Sequence, residues 1–416
     1  MKATLLFATV LTVSQYAFTN VQLQAADWPT WRGSDRDGHS SEAGLLKEWP
    51  TDGPKQEWHS SEAGLGYSSF SVVGDRLYTL GALDGVEYVM ALNTADGSLV
   101  WKSPIGQKLE NGWGGGPRST PTVAGDLVVA LGGRGGLYCV SAIDGAEKWS
   151  VELKTDLGGK VPNWGYSESP LVDGDRVLCT PGGKGGTVAA FDLKTGEKIW
   201  QSSDVTENAH YSSIIAVEHF GQHQYIQLTQ NKVFGLDNDG NLQWDAEWPL
   251  GRTAVVPTPI YHNGDIFITS GYNAGCMLIR VDKDNNVENI YDNKMMKNHH
   301  GGVIRIGEHI YGYSDGVGWL CLDMQSGERV WNEKSKHGKG AIAYADGMFY
   351  CLDERKGSCV LIEASSDGWS ERGRFTITPQ TDQRSPKGKI WTHPVIANGK
   401  LYLRDQEIIC CYDIRK

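Results

Sequence analysis

The sequence predicts an all-β protein that forms one eight-bladed β-propeller, and three observations support this prediction. The first is an eleven-residue pattern, small-x-(Asp/Asn)-x-x-x-Gly-x-x-x-Trp, which recurs as ALNTADGSLVW, CVSAIDGAEKW, AFDLKTGEKIW and CLDMQSGERVW, with the shorter copy GLDNDGNLQW. The second is a series of short apolar strands that end in glycine turns about 46 residues apart, a period typical of propellers or solenoids. The third is an incomplete last repeat. The turn glycines are Gly74, Gly125, Gly174, Gly221, Gly264, Gly307, Gly347 and Gly399.

Each repeat is predicted to contain four antiparallel strands, called A to D from the propeller axis outward. In the second repeat, strand A covers 120–123, strand B 127–131 and strand C 137–142, and a turn at Asp144-Gly145 leads into strand D with Trp149. Alternating apolar residues between glycine turns favour strands. The chain has no 10–15-residue helical period, which excludes a parallel βαβ fold. Repeated four-stranded antiparallel units are propeller blades.

The last repeat has strands at 394–397, 401–404 and 408–412 but no strand D. The N-terminal segment GPKQEWHSS, with Trp58, has the pattern of a strand D without a blade. Pairing the two would close the ring and leave no exposed sheet edge. Two blades depart from the pattern: Ile290 or Tyr291 takes the place of the tryptophan in blade five, and Trp369 directly follows Gly368 in blade seven.

The repeated tryptophans are expected to be structural, because each offers a large apolar surface and one N–H for a backbone partner on the neighbouring blade. The predicted blade-docking residues are Trp58, Trp101, Trp149, Trp200, Trp244 and Trp331. A small residue in strand C lets the next blade approach. Cys139, Cys321 and Cys411 occupy that position, so these cysteines are predicted to be packing residues. The disulfide state of the eight cysteines stays open.

Residues 1–26 are predicted to be a secretory signal peptide, which leaves 27–416 as a single propeller domain. Lys2 precedes a mostly apolar run, and Ala25 and Ala26 offer a cleavage site. Ser14, Gln15 and Tyr16 interrupt the run, which disfavours a membrane span. No cysteine for lipid attachment precedes Cys139. We therefore expect a periplasmic or extracellular protein, and its net charge of −11 disfavours nucleic acid as a partner.

With these repeats, the chain resembles the tryptophan-docking-motif superfamily of pyrroloquinoline quinone (PQQ) repeat propellers. Its eight-bladed members include quinoprotein alcohol dehydrogenases and BamB-type scaffolds of outer-membrane assembly. The segments DWPTWRGSDRDG, GGGPRSTPTV, WGYSESPLV, KNHHGGV and WTHPVIANGKLYLRDQ are similar to small exported PQQ-binding-like propellers. The resemblance covers nearly all of 27–416. It implies the fold directly and the chemistry only weakly.

Candidate ligand-binding residues precede the innermost strands, in the crossovers that should surround one mouth of the central channel. Aromatic groups with a few convergent polar groups are typical of a ligand pocket. The predicted site comprises Arg118, Trp164, Tyr166, Glu168, Tyr211, His299, His300, Lys339, Trp391 and His393, and the same face is expected to carry Tyr67, Trp113, His210 and Tyr272. Side chains from at least four blades should line one cavity. Because adjacent strand residues face opposite ways, only one of His299 and His300 is expected to reach the channel, and no metal site is predicted.

Two functions remain open. The first is a non-catalytic exported scaffold, similar to BamB, that binds a protein or a small molecule at the channel mouth. The second, which the resemblance implies, is a PQQ-dependent alcohol dehydrogenase with calcium. The residues assign no catalytic group, and calcium ligands cannot be placed on this chain residue by residue. Cys410-Cys411 matches in composition the adjacent-cysteine pair of the larger quinoprotein dehydrogenases, but it lies in a predicted strand C rather than in a loop over the channel.

Overall fold

Short alternating strands separated by tight glycine turns form eight blades, each with four antiparallel strands, and one blade gains a fifth, parallel strand from the N-terminal segment. The coordinates are a computed structural model that describes residues 26–248, 251 and 253–416. The predicted signal peptide therefore lies almost wholly outside the described residues. The prediction of an all-β, eight-bladed propeller is confirmed, and the one α-helix in the described chain is α1 (Leu153–Leu157).

Two N-terminal strands precede the repeats: β1 (His39–Ser40) and β2 (Lys55–Ser60). Blade one comprises β3 (Ser71–Val73), β4 (Arg76–Leu83), β5 (Val86–Asn93) and β6 (Leu99–Gln107), and blade two comprises β7 (Thr122–Ala124), β8 (Leu127–Leu131), β9 (Gly136–Ser141) and β10 (Glu147–Glu152). Blade three comprises β11 (Leu171–Asp173), β12 (Arg176–Cys179), β13 (Ala189–Asp192) and β14 (Lys198–Gln201). Blade four comprises β15 (Ile215–His219), β16 (Gln222–Leu228), β17 (Lys232–Leu236) and β18 (Leu242–Glu247).

Blade five comprises β19 (Ile260–His262), β20 (Asp265–Ser270), β21 (Gly275–Val281) and β22 (Val287–Asn293), and blade six comprises β23 (Val303–Ile306), β24 (His309–Ser314), β25 (Gly318–Asp323) and β26 (Arg329–Glu333). Blade seven comprises β27 (Gly340–Ala345), β28 (Met348–Asp353), β29 (Ser358–Glu363) and β30 (Glu371–Thr376). Blade eight contains β31 (Val395–Ala397), β32 (Lys400–Asp405) and β33 (Ile408–Asp413).

Strand β2 closes the ring as predicted. It pairs antiparallel with β33, the last strand of the chain, and Trp58 lies opposite Cys411. Blade eight is thereby a four-stranded sheet, β2-β33-β32-β31. Pairing the two ends of the chain in one sheet removes the free edge that three strands alone would leave.

The apolar core lies between blades. Each of the eight buried apolar clusters of the described residues combines side chains from two neighbouring blades. Cys410 belongs to the cluster between blades seven and eight, and Cys411 to the cluster between blades eight and one, because adjacent residues of β33 face opposite sides. All eight cysteines are buried and unpaired.

The docking tryptophans repeat one geometry. The Trp149 indole Nε1 donates to the Leu193 carbonyl oxygen at 2.9 Å, and its ring lies against Gly196 of the next blade. Gly196 has φ +73°, and a Cβ there would lie 2.6 Å from the ring. The same donor-to-carbonyl contact joins Trp58 to Thr94, Trp101 to Ala142, Trp200 to Asn238 and Trp331 to Ser365. Trp149 is 7% exposed, whereas Trp200 is only partly buried, so the docking rings are not equally enclosed.

The contacts made by blades four and five depart from this pattern. Trp244 donates to the Gln224 side chain of its own blade, and Gln224 in turn donates to Asn285, which stands in the left-handed turn position of blade five. Tyr291, rather than Ile290, takes the tryptophan place in blade five, and its hydroxyl donates to the Met324 carbonyl oxygen at 2.8 Å.

Blade seven lacks its own docking tryptophan. Gly373 lies opposite Leu361 at the register position that tryptophan holds elsewhere, and Trp49 of the N-terminal segment packs over it. Trp49 is 5% exposed within the cluster between blades seven and eight. Trp369 packs instead near Trp319. The sequence pattern alone did not indicate this replacement.

Residues 27–40 occupy the central channel, a feature that the repeat pattern did not predict. Trp28 pairs with Val72 of blade one, and β1 runs parallel to β27 of blade seven. Arg32 and Arg36 are buried and donate to carbonyl oxygens of the innermost segments, Arg32 to Val303 and Arg36 to Ser169 and Pro170. Burial lowers the pKa of both guanidinium groups to about 10. We call residues 27–40 the channel segment.

Candidate functional site

A cavity of about 330 Å³ lies at the mouth of the central channel where the crossovers end. Every one of the eight segments that lead into an innermost strand contributes lining residues, from Tyr67 before β3 to His393 before β31. Turns between strands B and C of blades five and seven complete the wall. The aromatic lining residues are Trp31, Tyr67, Trp113, Trp164, Tyr211, Tyr272 and Trp391.

The charged lining residues are mostly cationic. Arg118, Lys339, Arg355 and Lys389 face one carboxylate, Glu354, although the protein as a whole is acidic. Burial raises the pKa of Glu354, and its Oε2 lies 3.3 Å from the donating indole nitrogen of Trp391. The excess of cations favours an anionic ligand.

Arg118 is the cation best placed to receive such a ligand. Its Nη2 donates to the Gly114 carbonyl oxygen at 2.7 Å, and its guanidinium carbon lies 4.8 Å from the centre of the Tyr67 ring. Its Nε is buried without a hydrogen-bond partner, and no described carboxylate pairs with it. Burial lowers the pKa of Arg118, so the positive charge is held at a desolvation cost that an anionic ligand would offset.

His299 and His300 both line the cavity, in contrast to the expectation that only one would reach it. Their ring centres lie 3.6 Å apart. The strict alternation of side chains does not apply, because both residues lie outside regular strands, before β23. Buried polar nitrogens of these rings, Nε2 of His299 and Nδ1 of His300, have no partner.

Lys339 connects His299 to an acid. Its ammonium lies 2.7 Å from the Asp315 carboxylate and 3.1 Å from Nδ1 of His299. An ammonium has only donors, so Nδ1 accepts and the proton of the neutral ring stays on Nε2. Burial, followed by the charge of Lys339, lowers the pKa of His299 to about 3, which keeps this imidazole neutral at pH 7. His299 thus offers the cavity an N–H donor.

The floor of the cavity comes from the channel segment. The Trp31 ring lies 4.6 Å from that of His393, and its Nε1 donates to the Thr258 hydroxyl at 3.1 Å. His393 Nε2 donates to the His300 carbonyl oxygen at 2.8 Å. Burial, with Arg32 as the second cause, lowers the pKa of His393 to about 3.

Two of the ten predicted site residues lie outside the cavity. Tyr166 is buried between blades two and three and donates to the Pro181 carbonyl oxygen, while Glu168 accepts from Thr180 and Gln227. Ser167, between them, lines the cavity. The cause is the alternation of side chains along extended backbone, which turns the two neighbours of Ser167 away.

Four more residues differ from the sequence prediction or were absent from it. His210 lines a separate, polar cavity of about 480 Å³ with Lys160 and Gln230. Glu354 and Arg355 lie in the blade-seven turn between strands B and C, a position that the predicted face already included. Trp31 carried no repeat signal, since it precedes the first blade.

No group of three or more His, Cys, Asp or Glu side chains among the described residues is placed to hold a metal ion. Cys410 and Cys411 lie in β33, within the apolar clusters and away from the cavity lining. In the described part of the chain, no helix is long and apolar enough to cross a membrane.

Comparisons with known proteins agree with the fold. A family model described as outer membrane protein assembly factor BamB matches residues 85–333, more than half of the chain. BamB of Yersinia pestis is 26% identical over 185 residues, which cover 42% of each chain, so the match spans less than half of that relative. BamB of Moranella endobia is 24% identical over 306 residues, 67% of this chain and 71% of that protein.

Two solved structures share the architecture. BamB from Moraxella catarrhalis superposes with a TM-score of 0.59 at 14% identity, over 83% of this chain and 94% of that one. Quinohemoprotein alcohol dehydrogenase from Comamonas testosteroni gives a TM-score of 0.62 at 11% identity, over 94% of this chain and 80% of that one. At such identities the similarity concerns the fold alone.

Proposed function

This chain belongs to the family of the outer membrane protein assembly factor BamB, and from that premise we propose that it is an exported, non-catalytic binding scaffold of the cell envelope. The observation that carries the proposal is the channel-mouth cavity, into which segments from all eight blades converge. The cavity is present without a ligand, as is usual for binding pockets.

The chemistry of the lining supports a carboxylate-bearing ligand, either a small molecule or an acidic peptide side chain. Arg118 and His299 supply unpartnered donors, and the aromatic rings supply apolar surface on several sides. Lys339 already pairs with Asp315, whereas Arg118 has a buried Nε without a partner, so a ligand carboxylate would satisfy Arg118 more directly than Lys339. A guanidinium binds a carboxylate in a bidentate fashion.

A PQQ-dependent alcohol dehydrogenase, which would use PQQ together with calcium, is the second candidate. The cavity lining has groups of the kind that could bind PQQ itself. The carboxylates of PQQ would meet Arg118 and Lys389, and Trp113 and Trp391 provide rings against which a flat quinone can stack. When bound, the quinone would supply a two-electron acceptor. For calcium, the lining offers one carboxylate, Glu354, and the described residues place no group of three His, Cys, Asp or Glu side chains together. Membership of the BamB family favours the binding scaffold over the dehydrogenase.

Arg118→Ala tests the proposal. Tryptophan fluorescence would be titrated with PQQ, with and without calcium, and with an Asp/Glu-rich peptide, and a dye-linked alcohol assay would follow oxidation. We expect saturable binding of one of these probes, at least tenfold weaker in Arg118→Ala, with an unchanged melting temperature and no alcohol oxidation. Arg134→Ala is the control, because Arg134 is exposed and bonds Gln107 outside the cavity.

Three outcomes would overturn the proposal. Equal affinity of Arg118→Ala and the parent would place binding elsewhere. A lowered melting temperature with unchanged binding would make Arg118 structural. Alcohol oxidation that requires PQQ and calcium would favour the dehydrogenase.

A further inference from the structure

Glu42 is a buried carboxylate at the entrance of the channel segment. It is 5% exposed, and its Oε1 accepts from two backbone amides, Ala26 N at 3.0 Å and Asn398 N at 2.6 Å. None of the described lysine, arginine or histidine side chains forms an ion pair with it. A buried carboxylate without a cation is costly unless it is neutralised or paired.

The Ala26 amide is the nitrogen that leader removal would release. Ala25 and Ala26 are the small residues of the predicted cleavage site, and a cut between them would turn the Ala26 amide nitrogen into an ammonium group 3.0 Å from Glu42. We propose that the mature chain begins at Ala26 and that Glu42 is the receptor for its new amino terminus. This inference rests on the export included in the proposed function, and it moves the cut one residue upstream of a 1–26 leader.

The pair would anchor the segment that forms the cavity floor. Immediately after Ala26, the Asp27 carboxylate accepts from Gly74 N at 2.9 Å, and Trp28 pairs with Val72 of blade one. The chain then reaches Trp31 at the floor of the cavity. Fixing Ala26 therefore limits the freedom of the residues that place Trp31. Proteolytic processing would thus stabilise the channel segment as well as release the protein.

The unmodified α-amino group has a pKa near 8, and a buried carboxylate partner raises it. The ion pair is therefore formed at neutral pH. Its contribution to stability is present below pH ~8 and is lost as the pH rises through the higher folded value.

The first measurement is the intact mass of the protein secreted with its own leader from a Gram-negative host. A mass that begins at Ala26 is expected; a mass that begins at Asp27 or later, or that retains the leader, overturns the inference. The second measurement is a double-mutant cycle of four proteins. Two of them begin at Ala26 and two carry two extra glycines before Ala26, and within each pair one protein has Glu42 and the other has Glu42→Gln.

In this cycle, the Ala26 protein should melt about 3 °C above its glycine-extended form at pH 7. The gap should close in Glu42→Gln and above pH 10, while the exposed control Glu48→Gln, between β1 and β2 like Glu42, should keep it. Equal melting of the Ala26 and extended proteins, or a gap that survives in Glu42→Gln, would overturn the inference. Ligand affinity is not part of this readout, so a failure of the binding proposal would remain distinguishable.

Discussion

Trp58 docks the closing strand β2 onto the Gly97 turn of blade one, and Gly97→Ala tests this contact directly. Gly97 has φ +73°, and a Cβ there would lie 2.6 Å from the Trp58 ring. Gly74 is the matched control. It has φ +56°, but a Cβ there would meet nothing within 4 Å. Both substitutions strain the backbone, and only one disturbs the closing contact.

The expected losses of stability follow from two costs, the backbone strain at positive φ and the displacement of the Trp58 ring. An alanine in the left-handed region costs about 1–2 kcal/mol, which is the whole expected loss for Gly74→Ala. Gly97→Ala adds about 1–3 kcal/mol for displacing a packed ring. Trp58→Ala should cost about 3–5 kcal/mol, because Trp58 is 9% exposed and its Nε1 donates to the Thr94 carbonyl oxygen at 3.0 Å.

The assay is urea denaturation of Gly74→Ala, Gly97→Ala, Trp58→Ala and the double variant Trp58→Ala/Gly97→Ala. Removing the ring also removes the overlap, so the double variant should be more stable than the sum of the single losses predicts, by about 1–3 kcal/mol. If Gly97→Ala costs no more than Gly74→Ala, or if the two losses add, the closing contact has been misassigned.

Three further predictions concern the interior. Trp149→Ala should lower the free energy of unfolding by about 3–5 kcal/mol and Trp200→Ala by clearly less, since Trp200 is only partly buried; equal losses in urea would contradict this ranking. Burial raises the pKa of Glu168 to about 7, so the free energy of unfolding should fall by about 3 kcal/mol as the pH rises from about 4.5 to 7. Glu168→Gln should flatten the profile of denaturation midpoint against pH, and equal slopes for the variant and the parent protein would refute this prediction. Arg404→Met should lower the free energy of unfolding, measured in urea, by at least about 3 kcal/mol, because the buried guanidinium donates to the carbonyl oxygens of Ser68 and Leu80 and thereby joins blade eight to blade one. An unchanged free energy of unfolding would show that these hydrogen bonds add nothing to stability.

The blades could be predicted because their determinants are local. A turn that needs positive φ selects glycine, as at Gly196, and a blade contact that needs a large ring selects tryptophan, as at Trp149. The missing last strand could be matched to the segment around Trp58, because closing a ring requires one strand of that pattern. Even the exceptional blade five stayed within reach, since Tyr291 carries both a ring and a donor.

The candidate site was only partly predictable. The propeller face that carries the crossovers could be deduced from the order of strands and turns. Arg118, Lys339 and Trp391 were therefore predicted to share one site, and all three line the cavity. Side-chain direction could not be deduced in irregular crossovers, so Glu168 was placed in the cavity although Ser167 is the residue that lines it.

By itself, the sequence determined the number of blades, the closing strand and the face on which the crossovers meet, because repetition and turn chemistry act over a few residues. The tertiary structure decided how the non-repeating N-terminal segment is used. Trp49 replaces a missing docking ring on Gly373, and Trp31 forms the cavity floor. Neither role has a sequence period, since each depends on a partner more than 200 residues away that only the closed ring brings close.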